Sequence, residues 1–106
     1  MTNKERRQWE ENRVCDYEWE SVVNEWEFDI NPPVTQLRSS NARVVELRNY
    51  FVLVSYNAAV AAINIHTGVL YDMLRKVYGY TATSAQHIAK FANDYNATDI
   101  MRWREV

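Results

Sequence analysis

RVVELRNYFVLVSYNAAVAAINIHTGVLYD, Arg43 to Asp72, sets the architecture expected of the chain. It is rich in Val, Ile, Leu and Tyr, residues that suit a pleated, half-buried surface. Asn49, Asn57 and the Thr67-Gly68 pair interrupt it, and Asn and Gly tolerate the positive φ of tight reversals. The runs 43–48, 50–56, 58–65 and 69–73 therefore predict an antiparallel meander. Two points inside it stay open. NAAVAAI (57–63) also reads as a short helix, because Ala is the best helix former, and Val69 to Tyr80 reads as one bent strand or as two strands.

C-terminal to the meander, GYTATSAQHIAKF (Gly79 to Phe91) is a helix start. Ser84 or Thr83 serves as cap for a helix beginning near Ala85, its hydroxyl accepting from an early backbone N–H. Ile88, Phe91, Ala92 and Tyr95 follow at helical spacing and predict a stripe that covers one sheet face. The tail ATDIMRWREV (97–106) reads as an edge strand or a short helix.

N-terminal to it, NKERRQWEENRVCDYEWESVVNEWEF (3–28) lacks Gly and Pro and predicts one long helix. Thr2 is its N-cap, and Glu5 stands at the capping-box position. Cys15, Trp19, Val22 and Trp26 share one helical face, flanked by Tyr17 and Val23, with carboxylates on the other side. INPPVTQLRSSN (30–41) reads as a linker, since Pro32-Pro33 stops a helix and Ser-Ser-Asn is loop chemistry. The fold class expected is α+β: an N-terminal helix, a three- to four-stranded antiparallel sheet and a C-terminal helix packed on the sheet. Its segments are an acidic amphipathic helix (1–29), a linker (30–41) and a β-meander-plus-helix unit (42–106).

The chain's 106 residues suffice for one core. No run of 18 apolar residues offers a membrane span, and the polar start MTNKERRQWEENR predicts no secretory signal. A single cysteine, Cys15, excludes an internal disulfide and fits a reducing compartment, so we expect a soluble, cytoplasmic protein. Charge is unevenly spread. Residues 1–33 carry nine acids and four bases, whereas residues 34–106 carry five acids and eight bases. Such asymmetry bears on partners and steering rather than on fold.

Chemistry is sparsely encoded. Ser84 and His87 are the only local nucleophile–base pair, but a capping Ser already spends its oxygen on the backbone, and no Gly-x-Ser-x-Gly turn exists. His87 is expected to fix the helix start or to bond to a neighbouring strand. Two histidines 21 apart and one distant cysteine make no zinc set, no calcium-loop pattern occurs, and neither of two glycines sits in a phosphate-cradling loop. We expect no enzyme, no metal and no cofactor.

A binding protein is what remains. Between Glu10 and Asp29 stand eight acids and one base, Arg13, a concentration that repels itself along a helix. A basic protein partner gives it a purpose, and Trp supplies affinity as an interface anchor. The expected contact set is Glu18, Glu20, Glu25 and Glu27 with whichever of Trp9 and Trp26 is exposed. The alternative is nucleic acid bound on the sheet, with Tyr50, Phe51, Tyr56 and Tyr71 stacking beside Arg43, Arg48, Arg75 and Lys76.

SYNAAVAAI (Ser55 to Ile63) followed by GYTATSAQHIAKF resembles small phage and mobile-element domains of Gram-positive bacteria. The matching positions are Ser55, Tyr56, Asn57, Val60, Ala61, Tyr80, Thr81, Thr83, Ser84, His87, Ile88 and Phe91. Ala58 stands where the pattern has Thr, and Ala85 replaces its third hydroxyl. The resemblance implies an origin in which small acidic proteins act as anti-defence inhibitors, anti-CRISPR proteins among them. The implied partner is a CRISPR effector or another host defence complex, met in the cytoplasm of the host bacterial cell.

Overall fold

A computed structural model describes residues 1–37 and 41–106. Helix α1 runs from Asn3 to Phe28, and its start is the expected capping box. Thr2 Oγ1 accepts from the Glu5 N–H at 3.1 Å while Glu5 Oε1 accepts from the Thr2 N–H at 3.2 Å. Asp29 is already extended, and the chain passes through Pro32-Pro33 into β1, Val34–Gln36. Strand β1 thus lies inside the 30–41 stretch. Ser39 and Ser40, read as loop chemistry, lie outside the described residues.

The meander follows as β2 (Ala42–Glu46), β3 (Tyr50–Ser55), β4 (Ala58–Asn64) and β5 (Val69–Asp72), close to the four expected runs. Short helix α2 (Leu74–Val77), helix α3 (Ala82–Asp94) and strand β6 (Asp99–Arg102) complete the described elements. The α+β class and the N-terminal helix are as expected. The strand count is not: six strands pair in the order β1-β2-β3-β4-β5-β6, and the sheet is mixed rather than antiparallel. Strand β1 was hidden by its prolines. Pro33 has no N–H to give, but its carbonyl accepts from the Glu46 N–H at 2.9 Å, and an edge position tolerates the missing donor. Strand β6 joins β5 in parallel, Val69 opposite Asp99, because α2 and α3 carry the chain back across the sheet.

Both open points resolve locally. Beyond Asn57, which lies in the turn, NAAVAAI is strand, and its small side chains let Ala61 and Ala62 vanish into the layers on either side of the sheet. Val69 to Tyr80 is neither one bent strand nor two: Asp72 Oδ1 accepts from the Leu74 N–H at 3.1 Å, closing β5, and the chain turns into helix α2. Gly68, with φ +78, makes the turn before β5, and a Cβ there would lie 2.7 Å from Thr98 Cγ2.

Alternation along the strands divides the core between two faces. Val45, Tyr50, Val52 and Ala62 meet Val22, Trp19 and Trp26 of α1, with Tyr71, Met73 and Cys15 continuing that face. Val44, Leu53, Ile63 and Leu70 meet Ile88 and Phe91 of α3. The expected stripes on both helices are therefore the buried ones.

The cap of α3 needs correction. Thr81, not Ser84 or Thr83, is the N-cap, its Oγ1 accepting from the Ser84 N–H at 3.2 Å. Thr81 is held extended just after the turn at Gly79, so the helix starts earlier than Ala85 and Ser84 falls inside its first turn, where it is buried. Among the described residues no helix is long and apolar enough to cross a membrane.

Candidate functional site

At 100° per residue, α1 divides its charge between two surfaces. Along its inner edges polar groups tie it to the sheet. Glu18 accepts from the Tyr50 hydroxyl and, at 3.2 Å, from the Tyr71 hydroxyl. Glu25 accepts from the Asn49 backbone N–H at 2.5 Å and from its side-chain amide at 3.1 Å. Asp16 pairs with Lys76 of α2. Asn12 donates to the Arg104 carbonyl at 2.5 Å and accepts from the Arg104 N–H at 3.0 Å.

The expected contact set is thereby split. Glu18 and Glu25 are half-buried and spend their oxygens on the sheet, so folding itself accounts for part of the acidity of α1. Trp26 packs partly into the core beside Val22. Glu20 and Glu27 are exposed, and Trp9 keeps 46% of its surface in solvent with the Arg13 guanidinium 5.0 Å from its ring centroid.

Two residues outside the expected set join that outward face. Tyr17 is 72% exposed and Phe28 87%. Eleven residues apart, they stand on nearly the same line of the helix, about 16 Å from one another. Glu20, Asn24 and Glu27 lie between them, all exposed. Glu10, Arg13, Val14 and Tyr17 line a shallow groove of about 360 Å³ at the near end of this line. The signal was present in the sequence as i, i+7, i+11 spacing opposite the core stripe, at Tyr17, Asn24 and Phe28. The last turn of α1 holds no basic residue, so Glu27 faces the negative end of the helix dipole uncompensated.

The stacking surface expected for nucleic acid does not form. Tyr50 and Tyr71 are buried beneath α1, and Phe51 packs on Tyr95 with centroids 4.9 Å apart. Tyr56 is exposed at φ +56 in the β3–β4 turn, its ring 5.9 Å from that of His87. Arg43 borders an apolar depression with Trp26, Pro32 and Val34, and Arg48 is exposed in the β2–β3 turn. Arg75 and Lys76 stand apart from them on α2.

Ser84 and His87 do approach one another, through Ser55 of β3. Ser55 Oγ lies 2.9 Å from Ser84 Oγ and 2.8 Å from His87 Nδ1. All three residues are buried, so neither oxygen is open to a substrate; the cluster clamps α3 to the sheet. This is the strand bond expected of His87. Among the described residues no group of three or more His, Cys, Asp or Glu is placed to hold a metal ion. Burial pushes the Cys15 thiol up to about 12, with neighbouring Asp16 adding to the shift, so the thiol stays protonated and unreactive.

Compared with known proteins, the chain matches no family model, no curated protein and no solved structure.

Proposed function

We propose that the protein is a non-enzymatic binding module whose outward α1 face, from Tyr17 to Phe28, engages a basic protein partner. The observation that carries this reading is the pair of aromatic side chains left in solvent on one line of the helix, with Glu20 and Glu27 beside them. Folding gains nothing from exposing Phe28, and an acid at an uncompensated helix C-terminus costs stability. A desolvated aromatic anchor ringed by charge is the arrangement that gives affinity and selects partners. The sealed Ser55–Ser84–His87 cluster supports the non-enzymatic part of the reading.

The resemblance to phage and mobile-element domains directs the search for the partner to anti-defence inhibition. Nucleic-acid-handling effectors such as CRISPR complexes present basic channels that an acidic helix can occupy. The test compares the parent with a Glu20→Lys/Glu27→Lys/Phe28→Ala variant in capture from host lysate, followed by association kinetics with the captured protein. The parent should bind at a rate that falls as salt rises, and the variant should lose binding while keeping its melting temperature. Equal rates and affinities for the two proteins would reject the reading.

A further inference from the structure

RKVYGY, from Arg75 within α2 to Tyr80 just before α3, sets two exposed cations ahead of two exposed aromatics. Gly79 adopts φ +99, a conformation L side chains rarely take, and its N–H bonds the Leu74 carbonyl at 2.9 Å. That reversal lays Tyr80 against Arg75, whose guanidinium lies 4.9 Å from the ring centroid. Tyr80 nevertheless keeps 59% of its surface in solvent. Strand β6 delivers Arg102 and, just past its end, Trp103 to the same place. Arg75, Tyr80 and Arg102 border one pocket of about 270 Å³. Arg75, Tyr80, Lys76 and Trp103 border a second, of about 420 Å³, with Lys76 Nζ 5.7 Å from the Trp103 ring centroid. Sharing Arg75 and Tyr80, the two form one cleft.

The charges in this cleft are unequally engaged. Lys76 pairs with Asp16, and Arg102 uses its Nε on Asp72 at 2.8 Å. Arg75 pairs with no carboxylate among the described residues. Each pocket carries one acid: Asp72, engaged by Arg102, lines the first, and Glu105 lines the second. A planar guanidinium without a carboxylate suits a phosphate, and open rings flanking it suit a base.

We infer that this cleft binds a nucleotide unit, its phosphate on Arg75 and Arg102 and its base against Tyr80 or Trp103. The inference is independent of the α1 interface: it concerns the β5–β6 half of the sheet and a different chemistry. The unit has two sources, a free mononucleotide or a single strand of nucleic acid, and the experiment separates them.

The full chain is titrated with adenosine monophosphate, a dodecathymidylate strand and inorganic phosphate, followed by backbone and indole N–H chemical shifts. Saturable shifts should concentrate at Arg75, Lys76, Tyr80, Arg102 and the Trp103 indole, with phosphate alone weaker by about tenfold or more, the share expected of one stacked base. Tighter, salt-sensitive binding of the strand identifies a strand as the source; equal affinity per site identifies the mononucleotide. Arg75→Ala and Tyr80→Ala, both at exposed positions, should each weaken binding about tenfold with the spectrum otherwise intact. Phe28→Ala should leave it unchanged. Absence of shifts at these residues with all three probes overturns the inference. So does phosphate binding as tightly as the nucleotide, or wild-type affinity in both cleft variants.

Discussion

Glu18, in the middle of α1, accepts a hydrogen bond from the hydroxyl of Tyr71 on β5 at 3.2 Å, and the Tyr50 hydroxyl occupies its other oxygen. A carboxylate that looks like surface charge is thus the polar anchor of the helix–sheet interface. Glu18→Gln should destabilise the protein by about 1–3 kcal/mol, because two buried hydroxyls lose a charged acceptor. Glu20→Gln, on the outward face, should stay within about 0.5 kcal/mol. Urea denaturation of the two variants decides it, and equal effects would remove Glu18 from the interface.

Alkaline pH attacks the same interface. Burial, reinforced by Glu18, pushes Tyr71 up to about 12 and raises Tyr50 further, while Cys15 rises to about 12. Groups with raised folded values contribute stability that is full below their unfolded values and is lost as pH climbs through the folded ones. The urea midpoint should therefore hold near pH 8 and fall steadily from about pH 9 upward, since an unfolded thiol and phenol titrate at about 8.5 and 10. A flat midpoint across that range contradicts the assignment. Native Cys15 should resist thiol reagents that label it at once in denaturant.

The Ser55–Ser84–His87 cluster predicts a stability phenotype. Ser55→Ala leaves two buried polar groups without their partner and should cost about 1–3 kcal/mol. His87→Asn should lower the melting temperature yet retain partner binding through α1. Loss of binding with the melting temperature unchanged would return His87 to a functional role.

The two glycines separate strain from collision. Gly68→Ala combines φ +78 with a Cβ 2.7 Å from Thr98 Cγ2 and should cost about 2–4 kcal/mol. Gly79→Ala, at φ +99 with nothing within 4 Å of the new Cβ, carries the backbone term alone, about 1–2 kcal/mol. Calorimetric melting of both variants should rank them in that order, and the reverse order would refute the assignment of the larger cost to Thr98.

The features legible along the chain are those that short-range physics controls. The Thr2–Glu5 box, the 15–19–22–26 stripe, the meander and its turns, and the Ile88–Phe91 stripe each depend on residues within one or two turns of one another. Features that need a partner far along the chain emerge only in the packed fold. Strand β1 exists because Pro33 and Gln36 meet β2, and β6 because Asp99 to Arg102 find β5, 30 residues earlier. The acidity of α1 was legible as a count. Which acids remain for a partner was not, since Glu18 is bonded across 32 residues to Tyr50 and Glu25 across 24 to Asn49. Likewise Arg75 and Tyr80 are neighbours in sequence, but only the return of β6 sets Arg102 and Trp103 beside them. A helical pattern tells which residues share a face; only the packed sheet determines which face water keeps.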